Sequence, residues 1–121
     1  MKDISSRQDI EHIMQTFYTE ALVDPIIGDF FTKIARLHLE EHLPEITDFW
    51  EQQLFRKGRY QKNVLQIHLD LNVKKKFEEI HFQTWLALFN KAIDQNFEGD
   101  LANLMKTRAL SIATVMRIKM Q

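Results

Sequence analysis

Residues 58–71, Gly-Arg-Tyr-Gln-Lys-Asn-Val-Leu-Gln-Ile-His-Leu-Asp-Leu, stand between two strongly apolar helical segments. Gly58 and Asn63 are breakers, so the backbone turns here instead of prolonging the preceding helix. Beyond the turn, Val64, Leu65, Ile67, Leu69 and Leu71 surround a single imidazole, that of His68. Apolar neighbours penalise the ionised ring and hold it neutral. A neutral imidazole is the form that binds a metal; a structural histidine bonded to backbone is the plainer alternative. What the rest of the chain sets opposite His68 decides between them.

Upstream, Pro44 fits the first turn of a helix, where its missing N–H is harmless. Ile46, Phe49, Trp50, Gln53 and Leu54 carry that helix to Gly58, with His42 at the N-terminal edge of the same apolar face. Downstream, Lys74-Lys75-Lys76 leads into a long helix with Phe77, Ile80, His81, Thr84, Trp85, Leu88, Phe89 and Ala92 on its inner side. At the N-terminus, Ser5 or Ser6 caps a helix starting near Gln8 or Asp9. Ile10, Ile13, Met14, Phe17, Tyr18, Ala21 and Leu22 form its stripe, and Asp24-Pro25 ends it. Residues 26–31 are too short for a full helix and read as a corner delivering Phe30 and Phe31 inward. After the break at Gly99-Asp100, with Asp100 as cap, a last helix presents Leu101, Leu104, Met105, Ala109, Ile112, Val115 and Met116. Neither strand-like alternation nor an internal repeat is present. The expected architecture is all-α, with about four long helices and two or three short ones.

The 121 residues set the expectation of one domain, 1–121, able to bury a core without staples. A net charge of −1 exerts no global pull on nucleic acid or anionic membrane. The absence of cysteine excludes disulfides, thiolate metal sites and a cysteine nucleophile. No apolar signal core opens the chain, so the cytoplasm is the expected compartment. Three glycines and two prolines argue for long helices, and nine Phe, two Trp and two Tyr are a large aromatic supply.

Several chemistries fail on their residue patterns. His38 and His42 share a helix face, yet Leu39 stands where a zinc protease needs Glu, and no third ligand is evident. Glu78-x-x-His81 is one half of a di-metal carboxylate pattern without its second copy. Neither a glycine-rich phosphate loop nor a nucleophile elbow occurs. What remains is a phenol, an indole and two imidazoles (Tyr18, Trp85, His42 and His68) on apolar faces of four segments. Buried polar groups need partners, or stabilise something bound.

The ordered motifs resemble the truncated haemoglobins, and within them the third bacterial group. They are Phe17-Tyr18, Asp24-Pro25, Gly28-Asp29-Phe30-Phe31, His42-Leu43-Pro44, Asp48-Phe49-Trp50, Gly58-Arg59-Tyr60, Asn63 before His68-Leu69, and residues 81–89 from His81 to Phe89. The spacing of eight from His42 to Trp50 belongs to the pattern. The glycine-pair motifs of the other truncated groups are absent, as they are in the third group. The chain departs at Gln61-Lys62-Asn63-Val64, where relatives tend to carry Gly and Pro.

This resemblance implies a truncated globin-like two-over-two helical sandwich around haem b. It makes His68 the proximal iron ligand, and Tyr18, His42 and Trp85 the distal residues facing O2 or another diatomic ligand such as CO or NO. Phe31, Ile46, Phe49, Trp50 and Tyr60 would line the haem. Two donors aimed at a ligand carrying partial negative charge imply slow release, suited to NO- or peroxide-related redox chemistry with an unidentified reductase. Two other classes remain open at this point. One is a cofactor-free all-α interaction or regulatory domain; the other is a non-haem metal enzyme using His38, His42 and Glu78.

Overall fold

The computed structural model describes residues 1–56 and 64–120, apart from the side chains of Val64 and Leu65. The expected turn at Gly58 and Asn63, and the expected haem-lining Tyr60, lie outside those residues. The elements are α1 (Arg7–Ala21), a π-turn (Phe30–Ile34), α2 (Leu39–Phe55), α3 (Val64–Lys74), α4 (Glu79–Asp94) and α5 (Asp100–Lys119). Among the described residues there is no strand, only a parallel bridge between Lys2 and Phe97. No described helix is long and apolar enough to cross a membrane.

α1 packs against both α2 and α4, while α5 backs onto α4 and α2. The result is the expected sandwich of two helix pairs. Its centre is the stripe of α1, where Ile10, Ile13, Met14, Phe17 and Ala21 are buried against Trp50, Phe89, Ile93, Met105 and Ala109. Phe17 meets Phe89 edge-on at 5.6 Å, and Phe89 lies 5.2 Å from Trp50. A second, smaller cluster of Phe82, Ala113, Met116 and Met120 receives Leu69 and Phe77 from the α3 side.

Local chemistry explains most of the boundaries. Ser6 caps α1 by accepting from the Asp9 amide. Asp24 accepts from the amides of Ile26 and Ile27, which turns the chain after α1. Gly28 follows in close quarters, since a Cβ there would sit 2.9 Å from the Leu22 carbonyl oxygen. Phe30 is thereby buried and Phe31 half-buried, as a corner delivering both rings inward requires.

Three expectations are corrected. Pro44 does not open α2, which begins five residues earlier at Leu39. Pro44 is exposed near the helix start, so the Glu40 carbonyl that loses its N–H partner can turn to water. Ile80 is 47% exposed, and Phe82 takes the inner place, because the stripe of α4 runs through 82, 85, 86, 89 and 93. Asp100 is the first residue of α5, not its cap. The cap comes from Asp3, whose carboxylate accepts from the amides of Leu101 and Ala102, both at 2.9 Å. This needs glycine at position 99, where φ is 136° and a Cβ would lie 2.6 Å from Asp3 Cγ.

Asp3 thus ties the N-terminus to the last helix, beside the fully buried Ile4. Asp3→Ala is expected to lower stability by about 1 kcal/mol, the usual loss of a helix cap. A lower urea midpoint at unchanged slope checks it; an unchanged midpoint would show that α5 needs no help from the N-terminus.

Candidate functional site

Burial on the α1 stripe places the Tyr18 ring inside the aromatic wall. It meets Phe17 at 5.0 Å, Phe31 at 5.5 Å and His42 at 5.2 Å, each edge-on. Its hydroxyl lies 2.7 Å from His42 Nε2. Burial pushes the phenol pKa far above its ordinary value, so Tyr18 stays neutral in this hydrogen bond. His42 is in the first turn of α2, half-buried, with its own amide donating to the His38 carbonyl at 2.9 Å. The indole of Trp85, half-buried on α4, stacks on Phe89 at 5.0 Å and meets Phe17 edge-on at 6.2 Å.

Three helices and the π-turn therefore bring Tyr18, His42, Phe31 and Trp85 to one wall. Ile46 is half-buried beside them on α2, and Phe49 is buried at the edge of the core. Trp50, expected in the same row, is fully buried against Phe89 and Phe49. The direct Tyr18–His42 bond went unread in the sequence, because two residues 24 apart on different helices carry no local signal of contact.

His68 stands on a separate element. α3 packs against α5 and the π-turn, but makes no comparable contact with α1, α2 or α4 among the described residues. The imidazole is half-buried, 6.2 Å from the Phe77 ring. Phe77 stacks almost parallel on Phe30 at 4.3 Å, and Asn72 Oδ1 accepts its amide at 2.8 Å. Next to His68, Ile67 is 42% exposed, so part of the apolar surface of α3 beside the imidazole is open to solvent. An imidazole on a loosely packed helix, partly exposed aliphatic surface beside it and an aromatic wall with a hydrogen-bonded Tyr–His pair are a donor set and lining that fit a flat apolar ring with a metal centre. Among the described residues no three of His, Asp and Glu gather as a metal site, so His38, His42 and Glu78 form no ligand group of their own.

His81 has a different duty from the one its inner-face position suggested. Its Nδ1 accepts the Glu78 amide at 2.8 Å, closing a capping box at the start of α4, and its ring meets Phe30 edge-on at 4.8 Å. Burial lowers its pKa; Glu78 opposes this and Lys75 assists it. The folded state thus binds the proton less readily than the unfolded chain. His81 contributes fully above about pH 6.5, and the contribution is lost as pH falls through the folded value.

No protein-family description matches the chain. The helical sandwich is an all-α globin fold. In sequence the chain is 29% identical over 112 residues to a group 3 truncated hemoglobin of Campylobacter jejuni, covering 90% of this chain and 86% of that protein. A crystal structure of a group III truncated hemoglobin from Campylobacter jejuni superposes with a TM-score of 0.88 at 27% identity, covering 100% of this chain and 96% of that one. In both sequence and fold the chain is thus similar to the group III truncated haemoglobins.

His81→Gln keeps a capping side chain that does not titrate. It is expected to reduce the loss of urea stability between about pH 7.5 and pH 5.5 relative to the parent chain. Parallel pH profiles in the two proteins would show that His81 does not sense the fold.

Proposed function

We propose that this chain binds haem b through His68 and presents O2 or another diatomic ligand, CO or NO included, to Tyr18, His42 and Trp85. Similarity to truncated haemoglobins in sequence and fold supports the cofactor, and one observation carries the reading of the site. This is the 2.7 Å bond between Tyr18 and His42 inside an otherwise apolar wall. Packing alone does not call for such a pair, since a Phe and a Leu would fill the same space without polar atoms to satisfy.

When bound, the haem supplies an iron atom with one position open to a small ligand. The chain's own residues then divide the work. His68 would offer a ring nitrogen to the iron from the α3 side. Phe31, Ile46, Phe49, Trp50 and Tyr60 exclude water from the ring. If the His42 Nε2–H donates to the phenol oxygen, the Tyr18 O–H is released to point at the ligand. The reverse arrangement ties the phenolic proton to His42 and leaves the ligand to Trp85. The tautomer of His42 therefore sets how many donors a partly negative ligand meets. Two donors favour retention over transport, and with it NO- or peroxide-related turnover fed by a reductase. We place the whole chain, 1–121, in this one haem domain, acting in the cytoplasm without nucleic acid.

Tyr18→Phe is expected to speed O2 dissociation by roughly 10- to 150-fold, equivalent to a charge-assisted hydrogen bond of about 1.5–3 kcal/mol. Stopped-flow displacement of O2 by CO measures it, and an unchanged rate would show that the phenol does not touch the ligand. The cofactor itself is tested by absorption spectra of protein expressed with ample haem, oxidised and then reduced with and without CO. A Soret band that shifts with CO in the parent chain and is lost or altered in His68→Ala is the expected result. A folded, colourless chain that takes up no added haem would instead favour the cofactor-free interaction domain.

A further inference from the structure

Charge is unevenly spread along this nearly neutral chain. Residues 73–76 and 101–120 hold seven Lys or Arg and no acid, which leaves nine basic residues against all 17 acids elsewhere. Part of the basic set converges at one end of the molecule. Leu69 and Phe77 pack into the same cluster as Met116 and Met120, bringing the C-terminal turn of α3 and its lysine run beside the end of α5. A surface cleft of about 530 Å³ opens there, with Phe77, Phe82 and Met120 as apolar lining and Lys76 and Arg117 as its cations. Two acids offset these two cations, Glu79 bound to Arg117 at 2.9 Å and Glu78 in the capping box of α4, so the net positive charge of this end comes from Lys74 and Lys75 in the lysine run and Lys119 at the end of α5. Lys75 leans over Phe30 at 5.0 Å, and Val73, just before the run, is 87% exposed. The inner lining of this cleft, Phe77, is the ring that lies 6.2 Å from His68.

We propose that this cleft and its basic rim are the docking site of an acidic one-electron carrier protein. The carrier reduces the haem from the His68 side, so the proposal rests on the haem reading above. An apolar floor with a charged rim is the anatomy of a transient protein interface, in which charge steers the encounter. The acidic remainder of the chain repels any acidic partner that arrives elsewhere, and it also disfavours long polyanions that would have to run past the patch. Docking here leaves one aromatic ring between the partner and the proximal imidazole. In the transfer a reduced flavin on the carrier loses one electron and the ferric iron gains it, and no bond forms or breaks.

The test uses haem-loaded protein, verified by its Soret band, with a reduced acidic flavodoxin as the probe. Reduction under CO is followed by stopped flow in the parent chain, Lys76→Glu and Arg108→Glu. The two variants have the same net charge, and Arg108 lies nine residues before Arg117 on α5, roughly 13 Å along the axis. The parent rate is expected to fall about tenfold or more as salt rises from about 20 to 300 mM. At low salt, Lys76→Glu is expected to react at least about fivefold more slowly than Arg108→Glu, while dithionite reduces all three alike. Equal rates for the two variants would overturn the proposal. So would a Lys76→Glu defect confined to sedimentation with anionic phospholipid vesicles, which would make the patch a membrane site. Amide shifts at Lys76 and Arg117 on adding oxidised flavodoxin need no haem. A chain that stays colourless but shows them fails the haem reading alone, and their absence counts against docking whatever the haem content.

Discussion

A phenol buried in an aromatic wall must find a hydrogen-bond partner, and here the partner is an imidazole from another helix. The 2.7 Å contact between Tyr18 and His42 constrains the structure around it. It requires α1 to lie against the first turn of α2, fixing the rotation of both helices about their axes. It also requires Phe31 to close one side of the phenol and Phe17 the other, which in turn carries Trp85 on α4 to the same wall. A hydrogen-bonded pair of this kind costs little while both partners are present and much more if either is removed. Its place in an apolar wall is accordingly the strongest structural mark of a site.

The α3 side of the molecule follows a looser logic. α3 holds to the body through α5 and the π-turn, with Phe77 and Phe30 stacked as the joint. His68 is carried by this attachment and is not locked into the central core. His81 touches Phe30 while capping α4, so the start of α4, the π-turn and the His68 helix share one aromatic junction. A flat cofactor between the two sides would gain its affinity from apolar cover and its orientation from the few polar atoms placed there.

Much of this was legible in the residue pattern, and the exceptions have physical causes. The stripe of α1 was visible because Ile10, Ile13, Met14, Phe17 and Ala21 keep helical spacing, and the corner at Asp24-Pro25 and Gly28 announces itself by its breakers. Pro44 misled because a proline favours the first turn without dictating it, and an exposed carbonyl near the start of α2 can do without its amide partner. Ile80 misled because hydrophobicity alone does not fix the phase of a stripe; Phe82 and Phe89 do so through their partners on α5 and α1. The cap of α5 by Asp3 and the bond between Tyr18 and His42 were illegible in principle. Each joins residues distant in sequence, through a geometry that exists only once the helices have packed.

In the proposed site, His68 and the Tyr18–His42 pair would face one iron atom from different sides. Diffraction from crystals of the haem-loaded chain, collected at the iron absorption edge, locates that atom without reference to any assumed chemistry. The prediction is a single anomalous peak at bonding distance from a ring nitrogen of His68, with the Tyr18 hydroxyl and His42 across from it. A peak bonded to another side chain, with His68 turned away, would contradict the account directly.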